Sequence, residues 1–167
     1  MIEQIYNYFS IDMLYYWVNF GVLPFWLILI FFPKSHLCKY FVTSIFPIFI
    51  LSGVYIFILY KSYLNSYDFS GNFKLYFDIE SISNLFSDKI FLMMFWVHFI
   101  SINLFTGGWI VSDSQKFSIN KFFLGIPLII TYLIGPLGLF IYWLIRMFYA
   151  KNINLYDKVD RFLFRFY

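Results

Sequence analysis

A chain of 167 residues that is 62 % hydrophobic, 27 % aromatic and 13 % charged, with a mean hydropathy of +0.74, does not read as a soluble globule. Average soluble domains are roughly 45–50 % apolar and about 25 % charged, and here too few polar groups remain to cover the apolar surface. The net charge of +3 argues against a nucleic-acid partner, and the single cysteine, Cys38, excludes both an intramolecular disulfide and a cysteine-based metal cage.

Residues 1–12 carry no Lys or Arg and lead directly into an apolar stretch, so no cleaved signal peptide is expected. No Arg/Ser-rich transit segment precedes that stretch either. On these grounds the expected location is the plasma (inner) membrane of a bacterium, with a photosynthetic membrane as the alternative.

A helix needs about 20 mostly apolar residues to cross a hydrocarbon core of roughly 30 Å. Four segments qualify, at 13–32, 40–60, 90–111 and 122–149; Pro33-Lys34 closes the first and Lys61 the second. The links 33–39 and 112–121 are short, which predicts two antiparallel hairpins. In the longer link 62–89 the second half reads as a lead-in helix with Ser81 or Ser83 as its N-cap. The expected fold is therefore all-α: one membrane domain over 1–167, an integral bundle of four transmembrane helices. An amphipathic tail follows at 151–167, with Lys158, Arg161 and Arg165 on one face and Leu155, Val159, Phe162 and Phe166 on another.

Four crossings put both termini on one side. Lys61, Lys74, Lys89, Arg146, Lys151, Lys158, Arg161 and Arg165 would share that side, against Lys34, Lys39, Lys116 and Lys121 opposite. The excess of basic residues predicts that both termini are cytoplasmic.

Polar groups inside a span mark helix contacts or function. On the third span Met93, Val97, Ile100, Leu104 and Val111 form one aliphatic arc, expected to face lipid. His98, Ser101, Phe105, Gly108 and Ser112 line one flank of it; Trp96, Asn103 and Gly107 line the other. His98 lies about 12 Å deep at 1.5 Å per residue and has an unperturbed pKa near neutrality, so it is the candidate for proton transfer. Its competing reading is a neutral imidazole bonded to another span. Asn19, in the first span, is expected to bond between helices. His36 lies in a loop on the opposite face and no carboxylate falls inside a span, so neither a metal site nor a cofactor is expected.

The fourth span is interrupted by Pro127 and by Gly135-Pro136-Leu137-Gly138. Pro136 removes a helical hydrogen bond, leaving either a simple kink or a broken helix of the kind that frames binding sites in transporters. Pro24 and Trp26 in the first span, with Ser101, Asn103, Gly135 and Pro136, complete the candidate pocket or packing set.

Several of these residues resemble one family. Leu23-Pro24-Phe25-Trp26, Pro33-Lys34, Pro47, Tyr55 and Leu59-Tyr60 are similar to its first hairpin. Trp96-Val97-His98, Leu104-Phe105, Asp113 and Gly135-Pro136-Leu137-Gly138 are similar to its second. The family is the abscisic-acid-deficient-four-like, or neoxanthin synthase-like, group of four-span membrane proteins. The resemblance implies chemistry on a carotenoid or related isoprenoid lipid. In plants this is an isomerisation that opens an epoxide and creates an allene, and it needs an acid and a base but no redox change. By the same resemblance His98 is the first candidate for moving the proton. Asn103 and Gly108 stand where the family carries an aspartate and an arginine; losing both together avoids a lone buried charge.

Two readings stand at this point: a membrane isomerase, or a non-catalytic protein that binds pigment or lipid or assists a partner complex. A small transporter would need a polar path, and only His98, Ser101, Asn103 and Thr131 could line one. The bilayer is the expected partner, with an oligomer or partner subunit left open.

Overall fold

The structure, a computed structural model, describes residues 9–150, so the tail expected at 151–167 lies outside it. Every regular element among the described residues is helical.

The first helix, α1, covers Ile11–Phe31, begins where Ser10 Oγ accepts the Met13 N–H, and continues through Pro24. Leu14, Val18, Val22, Trp26 and Leu29 form its buried stripe, spaced at three or four residues as one helical face requires.

A π-helical turn, Cys38–Val42, precedes α2, Phe46–Leu64. The second span is thus interrupted near its start. Thr43 Oγ1 donates to the carbonyls of Cys38 and Lys39 at 3.1 and 3.0 Å, closing the turn. Pro47 then suits the first turn of a new helix, where its missing N–H is not needed.

The long link contains a 3-10 segment, Phe69–Tyr76, and α3, Ile79–Phe86. Its N-cap is Asp78 rather than either serine: Asp78 Oδ1 accepts the Ser81 N–H at 2.6 Å, which also holds that carboxyl below the usual carboxylate range. Asp88 likewise caps α4, Lys89–Lys116. Two shorter helices complete the order, α5 at Lys121–Leu133 and α6 at Gly135–Ala150.

By length and composition, three helical segments can cross a membrane: Ile11–Phe31, Cys38–Leu64 and Lys89–Lys116. The expected fourth span is instead two helices that fold back on each other. Counted at 1.5 Å per residue, α5 is about 20 Å and α6 about 24 Å long, each short of the roughly 30 Å hydrocarbon core. The fold-back is read from contacts. Gly138 lies so close to Thr131 that a Cβ on it would meet the Thr131 Cα at 2.6 Å, and Gly135 lies against Asn103. Arg146 reaches Asp113 at 2.7 Å and lies over the Phe117 ring at 4.7 Å. From Asn103 to Asp113 on α4 and from Gly135 to Arg146 on α6 the residue numbers rise together, so α6 runs parallel to α4. α5 therefore enters the bundle from the C-terminal end of α4, and α6 returns to that same end.

At one end of the bundle Lys61 Nζ donates to the Phe9 carbonyl at 2.7 Å, joining α2 to the residues before α1. At the other, Gln115 Nε2 donates to the Pro33 carbonyl at 2.8 Å. Ile11 and Ala150 consequently lie at opposite ends of the bundle, not at the same one as four full crossings require.

The central element is α4, which packs against all five other helices. Its supposed lipid-facing arc is the core: Met93, Val97, Ile100, Leu104 and Val111 are each no more than 7 % exposed. Aliphatic character could not separate the two outcomes, because in a bilayer the protein interior and the lipid are equally apolar. Asn19 does bond between helices, its Oδ1 accepting the Trp96 indole N–H at 3.3 Å.

Candidate functional site

The α5–α6 hairpin meets α4 at two polar points, one at its base and one at its tip. At the base, Asp113 Oδ2 accepts both the Tyr142 hydroxyl and the Arg146 Nε–H at 2.7 Å. Tyr142 and Arg146 are four residues apart on α6, so one helix face presents both to the carboxylate. The three side chains are at most 3 % exposed. Trp109 packs edge-on against Tyr142 at 5.8 Å, and the guanidinium lies over Trp143 as well as Phe117. A buried carboxylate and guanidinium are tolerable only as a hydrogen-bonded pair, so each holds the other in place. With its groups paired to one another and sealed from the surface, this cluster fastens the hairpin to α4.

At the tip, Ile134 takes φ −140° and ψ 83°, outside the helical region, between the two helices. Pro136 has no N–H for the Tyr132 carbonyl, and Gly135 allows the start of α6 to touch Asn103. Asn103 is at the middle of α4 and 5 % exposed, and its Nδ2 has no hydrogen-bond partner. Beside it, Trp26 packs over Gly107 so tightly that a Cβ there would approach the indole to 2.8 Å. The same indole meets the Tyr132 ring edge-on at 5.4 Å.

A family model described as ABA DEFICIENT 4-like matches residues 13–142, from the first turn of α1 to the tyrosine of the buried cluster. The chain belongs to the ABA DEFICIENT 4-like family. One relative, Protein ABA DEFICIENT 4, chloroplastic, from Arabidopsis thaliana, is 30 % identical over 99 residues, covering 58 % of this chain and 44 % of that protein. The match therefore spans less than half of the relative's length. No solved structure matches the chain.

The expectation of a bacterial plasma membrane fails on this comparison, because the relative is a chloroplastic protein and points to a plastid membrane. Span hydrophobicity could not have told the two apart: any bilayer with a core of roughly 30 Å selects the same side chains.

Within this ABA DEFICIENT 4-like chain the expected site residues divide. Trp26, Asn103, Gly135 and the break at Pro136 come together at the hairpin tip. Trp96 bonds to Asn19 at a different level, Ser101 Oγ donates to the Val97 carbonyl within its own helix, and Pro24 is exposed on α1. His98 is also exposed, on the outer side of α4. It does not point between helices as expected; it lies on the outer surface of the bundle. Further along its flank, a groove of about 500 Å³ is lined by Thr43, Ser44, Phe105, Gly108 and Ser112, among others. Among the described residues no group of three or more His, Cys, Asp or Glu could hold a metal ion.

Sequence reading missed the Asp113–Tyr142–Arg146 cluster. A signal was present: a lone carboxylate and a lone arginine beside apolar segments, with a tyrosine four residues before the arginine. A straight fourth span put that arginine on the opposite membrane face from Asp113, which hid the pairing.

Proposed function

We propose that this family member binds a carotenoid or related isoprenoid lipid in a plastid membrane, taking it sideways from the bilayer at the intramembrane hairpin. The observation that carries the reading is irregular backbone at the tip, beside the middle of α4. Non-helical backbone at membrane depth is otherwise disfavoured, and in membrane proteins it frames binding sites. Membership in a family with a chloroplastic relative supports a pigment or isoprenoid as the ligand.

A catalytic reading is favoured by His98. An imidazole on a hydrocarbon-facing flank, seven residues before Phe105 of the α2–α4 groove, is accessible to a substrate dissolved in the bilayer. In that role it would move a proton in an isomerisation without redox change. The test is expression in a carotenoid-producing host, with pigment from cells and from purified protein compared by chromatography and mass spectrometry. Binding predicts a stoichiometric pigment on the purified chain. Catalysis predicts a new isomer that disappears in His98→Ala. No bound pigment and an unchanged pool would remove the carotenoid reading altogether.

The hairpin also changes the proposed orientation. With α6 returning to the end of the bundle where α5 enters, Lys34, Lys39, Lys116 and Lys121 lie at the same end as Ala150, after which the sequence adds Lys151, Lys158, Arg161 and Arg165. That is eight basic residues against Lys61, Lys74 and Lys89 at the other end, with the paired Arg146 left out. The positive-inside rule then puts residue 150 on the stromal side, the plastid counterpart of the cytoplasm, and Ile11 on the far side. In a Cys38→Ser background, cysteines at positions 74 and 150 should react with a membrane-impermeant thiol reagent from opposite sides of sealed vesicles. Reaction of both from one side would rule this orientation out.

A further inference from the structure

At the Ala150 end of the bundle a cavity of about 490 Å³ lies between the end of α1 and the start of α5. Phe31, Phe32 and Lys34 form one wall; Ser118, Asn120 and Lys121 form the other. The walls belong to two different links, and Gln115 Nε2, donating to the Pro33 carbonyl at 2.8 Å, ties the end of α4 to the first of them.

The polar groups that line this cavity are donors. Lys34 and Lys121 bring ammonium groups and Ser118 a hydroxyl. Asn120 Oδ1 is taken by the Phe122 N–H at 3.1 Å, so the polar group its amide still has to offer is the NH2. Among the described residues no carboxylate lines the cavity and neither lysine is ion-paired. The wider field has the same sign. Around Lys34, Lys39, Lys116 and Lys121 the one acid among the described residues is Asp113, which Arg146 already neutralises. The opposite end carries Asp12, Asp68, Asp78, Glu80 and Asp88 against three lysines. An anion is therefore drawn to the cavity end and not to the other.

The apolar wall narrows the ligand further. Counted at 1.5 Å per residue, the 21 residues of α1 span about 31 Å, close to the hydrocarbon thickness. Phe31 and Phe32, 61 % and 63 % exposed, thus stand at the level where acyl chains meet headgroups, with the lysines just beyond them.

We propose that this cavity holds the oxyanion headgroup, phosphate or sulfonate, of an anionic membrane lipid. Lys34 and Lys121 meet the headgroup oxygens from opposite walls, and the acyl chains run down past Phe31 and Phe32. A free phosphate ion offers the same oxygens but leaves both rings uncovered. The site is separate from the hairpin tip and does not depend on pigment binding.

The test titrates the purified full chain, in neutral detergent, with phosphatidylglycerol or with phosphatidylcholine of the same acyl chains, and counts bound lipid by native mass spectrometry. Wild type should hold one phosphatidylglycerol in preference to phosphatidylcholine. Lys34→Gln and Lys121→Gln should each weaken it about fivefold, the weight of one basic side chain beside an anionic surface, and together about 25-fold. The control is Lys39→Gln with Lys116→Gln, which removes the same charge from the same end but outside the cavity and should leave the affinity near that of wild type. All four side chains are exposed, so the variants should fold. Equal losses in the two double variants would mean diffuse attraction and overturn the site, as would a wild-type chain with no preference for the anionic lipid. In a second arm, inorganic phosphate should fail to displace the bound phosphatidylglycerol; displacement by the ion alone overturns the lipid as the ligand.

Discussion

Arg146→Ala is expected to destabilise the bundle by about 3–5 kcal/mol, the usual cost of removing one partner from a buried ion pair. The substitution strands the Asp113 carboxylate, 3 % exposed, with the Tyr142 hydroxyl as its remaining donor among the bonds at 2.7 Å. Thermal unfolding in detergent, followed by circular dichroism, should show a large drop in midpoint. Asp113→Ala should also lower the midpoint, because it removes the buried carboxylate that Tyr142 and Arg146 share. The diagnostic comparison is the triple replacement Asp113→Leu, Tyr142→Phe, Arg146→Met, which removes every polar member at similar volume. Buried ion pairs exchanged for apolar groups of like size are often neutral or more stable by about 1–4 kcal/mol, so this variant should recover most of the loss. If the single variants melt like wild type, Arg146 is not buried against Asp113 and the fold-back of α6 is wrong.

Gly138→Ala tests the hairpin from its other side. A Cβ on Gly138 would collide with Thr131, whose backbone N and Cα are among the atoms met, so relief requires moving main chain rather than turning a side chain. Thr131 is itself held, its hydroxyl donating to the Pro127 carbonyl at 2.7 Å. Overpacking of this kind costs roughly 1–3 kcal/mol and occasionally more. The contrast lies in Gly21→Ala and Gly53→Ala, where the added methyl meets nothing within 4 Å. Those helical positions should gain up to about 1 kcal/mol from reduced chain entropy. Melting midpoints that shift alike for the three variants would mean that α5 and α6 do not pack at Gly138. In a single continuous helix, Gly138 would sit about 10 Å along the axis from Thr131, counted at 1.5 Å per residue, and alanine would be tolerated.

Composition alone determined the class of this protein. Apolar stretches of 20 residues or so have few physical outlets besides a bilayer, and 13–32, 40–60 and 90–111 each fall within or across a helix of crossing length. The motif residues determined the family, because Trp96-Val97-His98 and Gly135-Pro136-Leu137-Gly138 keep their order and spacing whatever the chain does in space. The asparagine expected to bond between helices, Asn19, does so, since a polar side chain in a span has few partners besides another span.

The tertiary structure decided the rest. Hydropathy cannot tell a kink from a reversal, because both keep α5 and α6 apolar; the outcome depends on whether Gly135 and Gly138 find Asn103 and Thr131 to pack against. That choice moved Arg146 from the face opposite Asp113 to within 2.7 Å of it and carried Ala150 to the other end of the bundle from Ile11. It also settled which side of α4 is core. In an aqueous protein the apolar arc would have identified the interior, but beside lipid an apolar arc can face either way, and packing by five neighbouring helices turned Val97 inward and His98 out.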